Sequence, residues 1–176
     1  MFRKLCTFFA CIPFIFSSVE VDAKNVAGWE VARSDRYCHM FMVFENGVTV
    51  SFSWYPIEQH TGLSLINSQW GSLQKRNGEQ TSVRLELTGR NVEYDEWWDN
   101  TALILANEDV TGISARWGSA HADNFATSIM LAESMQILVD GRNIGFYNLS
   151  GSYNAMLELK KCGSDLLKDT QDPFAF

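Results

Sequence analysis

From Val48 to Tyr55 the chain alternates: Val48, Val50, Phe52 and Trp54 on one parity, Thr49, Ser51, Ser53 and Tyr55 on the other. A period of two sends successive side chains to opposite sides of an extended backbone, so this segment is a strand with one face in a core. One strand cannot bury that face alone, and the rest of the chain must supply sheet partners and a covering layer. The nearest partner precedes it. Tyr37 to Phe44 is apolar on nearly both sides, and Glu45-Asn46-Gly47 between the two runs contains the Asn-Gly pair that tolerates positive φ, which makes a β-hairpin.

Further along, Val83, Leu85 and Leu87 alternate with Ser82, Arg84, Glu86 and Thr88 and end at Gly89, giving another half-buried strand, and Thr101 to Ala106 reads as a more fully buried one. The back half mixes periods. Asp123 caps a helix whose apolar members Phe125, Ile129, Met130 and Ala132 recur at helical spacing before Ser134. Met135 to Val139 and Ile144 to Leu149 flank Asp140-Gly141-Arg142-Asn143 as a second hairpin. Ser150 or Ser152 caps a last helix in which Tyr153, Met156, Leu157 and the stem of Lys160 share a face, and Gly163 ends it in the left-handed position. The expectation is an α+β fold, mainly antiparallel β, as a sandwich or a curled half-barrel with two short helices over it.

The N-terminal segment has a different character. Arg3 and Lys4 precede an apolar run from Cys6 to Ser18, and Val21-Asp22-Ala23 supplies small residues for cleavage, so residues 1–23 read as a secretory signal peptide. The run falls short of the roughly 20 apolar residues that cross a bilayer as a helix, so no transmembrane anchor is expected. Residues 24–163 then make a single β-rich domain, because Pro56 and Pro173 are the only prolines left and no Pro-rich linker divides it. Residues 164–176, with Leu166, Leu167, Phe174 and Phe176 among charges, read as a loosely packed tail. The expected location is secreted or periplasmic.

Setting the signal aside removes Cys6 and Cys11 and leaves Cys38 and Cys162. In an exported protein such a pair reads as one disulfide, here between a strand and the end of the last helix. The competing reading makes Cys38 a nucleophile activated by a histidine. Such a cysteine opens a helix, whose N-terminus lowers the thiol pKa, whereas Cys38 runs into Met40-Phe41-Met42-Val43 and an Asn-Gly turn.

Charge narrows the partners. The net charge is −7, and the acids Glu20 and Asp22 offset Arg3 and Lys4, so the value survives removal of the signal. Phosphate binding needs clustered cations, and beyond the signal the basic pairs are Lys75-Arg76 and Lys160-Lys161, so nucleic acid is not an expected partner.

The densest unusual stretch is Glu93 to Asn100. Tyr94, Trp97 and Trp98 beside Glu96 and Asp99 are residue types that bind sugars, with rings on C–H faces and carboxylates on hydroxyls, and these five are the candidate ligand-binding residues. The alternative is a polar loop anchored in the core by its rings; adjacent Trp97 and Trp98 point to opposite sides if extended, so at least one belongs to the core. The histidines His39, His60 and His121 sit in flanks without HExxH or zinc spacing, and a distributed site would have to join His121 to Asp123. With no Gly-x-Ser-x-Gly elbow, phosphate-binding Gly loop or Ser-x-x-Lys, no catalytic residue, metal or cofactor is assigned. Asn148-Leu149-Ser150 forms a glycosylation sequon.

The C-terminal run Met135-Gln-Ile-Leu-Val-Asp-Gly-Arg, then Phe146-Tyr-Asn-Leu-Ser-Gly-Ser-Tyr-Asn-Ala-Met-Leu-Glu-Leu-Lys-Lys-Cys162, resembles small exported bacterial proteins of uncharacterised or invasion-associated (locus B-like) type. The resemblance implies a periplasmic or secreted β-rich domain held by a disulfide and carries no catalytic residue. The functional expectation is a non-enzymatic exported domain that binds a protein or envelope component. The alternative is a carbohydrate- or cell-wall-active protein using the Glu93–Asn100 stretch.

Overall fold

The computed structural model describes residues 23–89, 95–107 and 110–171, so the signal segment up to residue 22 lies outside it. Ten strands form it: β1 (Lys24–Val26), β2 (Trp29–Arg33), β3 (Cys38–Val43), β4 (Thr49–Tyr55), β5 (His60–Ile66), β6 (Gln80–Gly89), β7 (Asp95–Ala106), β8 (Thr111–Trp117), β9 (Ala132–Val139) and β10 (Arg142–Asn148). Two helices, α1 (Ser119–Leu131) and α2 (Ser152–Gln171), and a 3-10 turn at Gly71–Arg76 complete it. The strands make one antiparallel sheet in the order β1-β2-β3-β4-β5-β8-β7-β6-β9-β10.

This is the expected α+β, mainly antiparallel class, in its curled half-barrel form. The first five strands meander. The chain then crosses through the 3-10 turn to β6 and returns by β7 and β8, and β8 pairs with β5, with Leu65 opposite Ile113. That pairing joins two meanders into one continuous ladder, so the described strands make one sheet and not a sandwich. A twisted sheet this wide curls. Its two ends meet on one side: Trp29 Nε1 donates to the Ser150 carbonyl at 3.2 Å, and the Phe44 and Tyr147 rings meet edge-on at 4.8 Å. Gly151, at φ +84°, leaves so little room that a Cβ there would stand 2.3 Å from the Ala27 carbonyl oxygen.

The alternation in β4 resolves as its spacing implies. Val50 and Phe52 are buried with Met40, Leu63, Leu85 and Met135 on the concave face, which α1 covers with Phe125 and Ile129 and α2 with Met156 and Leu159. Both hairpins form, the first turning at Gly47 with φ +75°; the second turns on Asp140-Gly141 alone, at φ +48° and +73°, and Arg142 and Asn143, expected in the turn, already pair with Val139 and Leu138 in β10. Strands β1, β2, β5 and β8 were not anticipated, and β7 starts at Asp95 rather than Thr101.

Both helices depart from their expected limits. α1 begins at Ser119 after an extended Gly118, so Asp123 is one turn inside, where it pairs with Lys160 at 3.4 Å instead of capping. α2 does not stop at Gly163. A Cβ there would lie 2.6 Å from Trp54 Cδ1, so the glycine lets the helix approach that ring and marks a packing contact. Residues 164–171, expected in a loose tail, are about two more helical turns, with Leu166 at 2% exposure and Asp169 bonded to Arg33 at 2.6 Å. Residues 172–176 lie outside the described residues.

Cys38 and Cys162 are disulfide-compatible: their Cα atoms are 6.2 Å apart and their sulfurs 2.00 Å, linking β3 to α2. Among the described residues no helix is long and apolar enough to cross a membrane.

Candidate functional site

A sheet covered by helices on one side meets water on the other, and that side reads as polar in an ordinary antiparallel domain. The middle of this convex face obeys. Ser51, Ser53, Gly62, Ser64 and Ser114 occupy the parity opposite the core, with Ser64 Oγ and Ser114 Oγ 3.4 Å apart. Its flanks do not.

On β3 the inward places belong to Cys38 and Met40, which leaves Tyr37, His39 and Phe41 facing out. The β3–β4 register sets Cys38 opposite Trp54, so the preceding Tyr37 reaches Tyr55 at the end of β4. Their rings stack at 4.8 Å, Tyr55 stacks on His60 of β5 at 4.1 Å, and Tyr37, His39 and Phe41 follow one another at 5.5 and 5.6 Å. Five rings thus run as one ladder over three strands. Arg116 of β8 lies over the Tyr55 ring at 5.6 Å, and an Arg36–Glu58 ion pair stands at the rim. On the far side of the serine floor, Leu103 and Leu105 of β7 are 41% and 47% exposed; on the ladder's own side, Val43 at the end of β3 is 65% exposed.

Burial lowers the pKa of His39. The same cause lowers His60, with Arg116 adding and Glu58 opposing. His39 Nδ1 and His60 Nε2 are buried without a hydrogen-bond partner among the described residues. Burial raises the Tyr55 hydroxyl against the pull of Arg116, and the hydrogen bond from Arg36 holds Glu58 low. The two imidazoles of the ladder therefore favour the neutral form, and the Arg36–Glu58 pair and Arg116 border it. Its members meet ring to ring rather than donor to acceptor, so the arrangement offers a contact surface and no poised acid–base pair.

The acidic and aromatic stretch is not gathered in this way. Tyr94 lies outside the described residues, and the backbones of Glu96 and Trp97 pair with Leu87 and Glu86 in the β6–β7 ladder. Trp98 turns inward onto Phe125 at 5.4 Å and Trp117 at 6.5 Å, and its Nε1 is buried without a partner among the described residues. Asp99 is on the opposite face, gripped by Arg84 Nε at 2.6 Å and Nη2 at 3.0 Å. Trp98 and Asp99 are separated by the sheet itself. His121 and Asp123 also part: His121 lies against Trp98 at 6.2 Å and Asp123 against Lys160. Among the described residues no three His, Cys, Asp or Glu side chains gather as a metal site. Asn148 of the sequon is exposed at the end of β10, its Oδ1 accepting the Ser150 amide at 2.8 Å.

Sequence reasoning missed the ladder, although half of its signal was present in the two-sided apolar character of Tyr37 to Phe44. The other half, Tyr55 and His60, joins only through strand register. No protein-family model matches the chain, and comparison with curated proteins and with solved structures finds no match to it.

Proposed function

We propose that this is an exported, non-enzymatic domain that binds a protein of the cell envelope through the convex face of its sheet. One observation carries the reading: the face that should be polar presents the Phe41–His39–Tyr37–Tyr55–His60 ladder opposite exposed Leu103 and Leu105. Aromatic and aliphatic side chains flanking a small polar floor and bordered by charge set this face apart from ordinary surface, and tyrosines supply large contact area at small entropic cost. Export is supported by the reading of residues 1–23 and by the disulfide-compatible pair, since disulfides persist in oxidising compartments. The carbohydrate reading has less behind it, because Asp99 is taken up by Arg84 and Trp98 by the core.

Site-specific photocrosslinking tests this. A benzoylphenylalanine at position 41 or 103 should capture one and the same envelope protein, while the same probe at exposed Asn124 of α1 should not. Leu103→Asp should abolish that capture and leave the melting curve in place. Capture that is equal from position 124, or indifferent to Leu103→Asp, would refute the assignment.

A further inference from the structure

Where β8 begins, the 3-10 turn lies across the end of the curled sheet. Beneath it, against the β9–β10 hairpin, is an open pocket of about 330 Å³. Its body is apolar: Trp70 and Leu73 from the turn side, Ile113 and Val139 from the concave face, and Ile144 from β10. Mouths of barrels are habitual ligand sites, and this volume is at the small end of the range for such pockets.

Three charged side chains also line it, Arg76, Asp140 and Arg142, and they are not equivalent. Asp140 accepts from the Ser82 amide at 3.1 Å and from Arg76 Nη1 at 3.5 Å, and Arg76 Nε is bonded to Glu79 at 2.8 Å. Those three groups satisfy one another. Arg142 has no ion-pair or hydrogen-bond partner among the described residues, so an uncompensated guanidinium borders an apolar hollow in a chain of net charge −7.

The backbone prepares this arrangement. Asp140 and Gly141 form a two-residue turn with both φ values positive, and the Asp140–Ser82 bonds tie that turn to β6. The hairpin register then fixes Arg142 opposite Val139, so cation and apolar wall come from one rigid pair. The β9–β10 register shifts between Asn143 and Gly145, and the extra residue of that bulge is Ile144, a pocket-lining side chain. Bulges re-aim side chains in this way beside binding sites.

We infer that the pocket binds a small organic acid, a monocarboxylate whose aliphatic or single-ring body lies on Trp70, Leu73, Ile113 and Ile144 while its carboxylate is held by Arg142. A guanidinium matches a carboxylate with two parallel hydrogen bonds, and the neighbouring apolar walls reduce competition from water.

Three probes separate the contributions: octanoate, octan-1-ol with the same body and no charge, and acetate with the charge and no body. They are titrated into the full domain while the amide and indole resonances are followed by NMR. Octanoate should shift the Trp70 indole and the Arg142 and Ile144 amides saturably, with octanol and acetate at least about tenfold weaker. Arg142→Gln, at an exposed position, should leave the rest of the spectrum unchanged and cost about tenfold in octanoate affinity, or ~1.4 kcal/mol, without altering octanol binding. The proposal fails if octanoate produces no saturable shift at millimolar concentration, if the shifts map to the convex face, or if Arg142→Gln binds octanoate as well as the parent. Leu103→Asp should leave octanoate binding intact, so this site and the convex face stand or fall separately.

Discussion

His39 and His60 show how a sheet surface can hold titratable groups in an untitrated state. Each has a ring nitrogen shut away from water without a partner among the described residues, so the charged imidazolium is disfavoured and both pKa values fall below the ordinary 6.5. Between the lowered values and 6.5 the unfolded chain binds more protons than the folded one. Their contribution is therefore fully present above 6.5 and is lost as the pH falls through that window. Glu58, Asp140, Glu158 and Asp165 are also held low, by Arg36, by Thr81 and the Ser82 amide, by Lys24 and by Lys168. Their losses begin only near the ordinary carboxylate values of 3.8 to 4.5, so the two sets separate on the pH axis. We expect the urea midpoint to drop between about pH 7.5 and about pH 5.5, and His39→Phe, which keeps a stacked ring and removes the titration, to flatten that drop. Parallel pH profiles for the two proteins would show that His39 does not carry the effect.

At the scale of elements, α2 is positioned by what it lacks. A Cβ at residue 163 would stand 2.6 Å from the Trp54 ring, while Lys160 lies over the same indole at 5.8 Å. Gly163→Ala should therefore push the helix off β4 and cost about 1–3 kcal/mol. Gly71→Ala in the 3-10 turn, with nothing within 4 Å of the added carbon, should stay within about 0.5 kcal/mol. Equal midpoints for the two variants in urea would remove the packing account. The same glycine explains a misreading. Gly163 follows Lys160, Lys161 and Cys162 and looks like a helix stop, and only its distant neighbour Trp54 reveals the other use. Elements that carry their own pattern were legible: β4 through Val50 and Phe52, the β9–β10 turn through Asp140-Gly141. β8 was not, because its Gly112, Ser114 and Ala115 have weak strand preference and are small for tertiary reasons; a Cβ on Gly112 would lie 2.5 Å from the Leu65 carbonyl oxygen. The candidate site was half legible for a related reason. Tyr37, His39 and Phe41 share a parity that can be read locally, whereas Tyr55 and His60 reach them through pairings that no local pattern encodes. The mouth pocket was still less visible, since Trp70, Ile113 and Arg142 come from three separate segments.

For the whole molecule, the decisive question is what keeps a wide curled sheet wrapped on its helices. One end of the curl is held by the Trp29–Ser150 hydrogen bond and the Phe44–Tyr147 contact, all close to the start of α2. Halfway along α2, the Cys38–Cys162 pair joins β3 to the helix across 124 positions, with Cys38 fully buried. Oxidised, a link that long constrains the unfolded chain by about 5 kcal/mol in the chain-entropy account, and measured effects run nearer 2–4 kcal/mol once residual unfolded structure is counted. Against a total of about 5–15 kcal/mol for a domain, that is a large share. A double variant, Cys38→Ala with Cys162→Ala, avoids placing a hydroxyl in the core and should lose about 2–4 kcal/mol in urea unfolding. The loss should also be uneven. Residues 164–171 are held otherwise by Leu166 and the Arg33–Asp169 pair, so hydrogen exchange should quicken first there and in β2 and β3. The β6–β9–β10 side, with its own ladder and the Asp140–Ser82 ties, should keep its protection until global unfolding. An unchanged midpoint, or protection lost first in β9 and β10, would mean that the wrap is held by the core alone and that the cysteine pair contributes little to it.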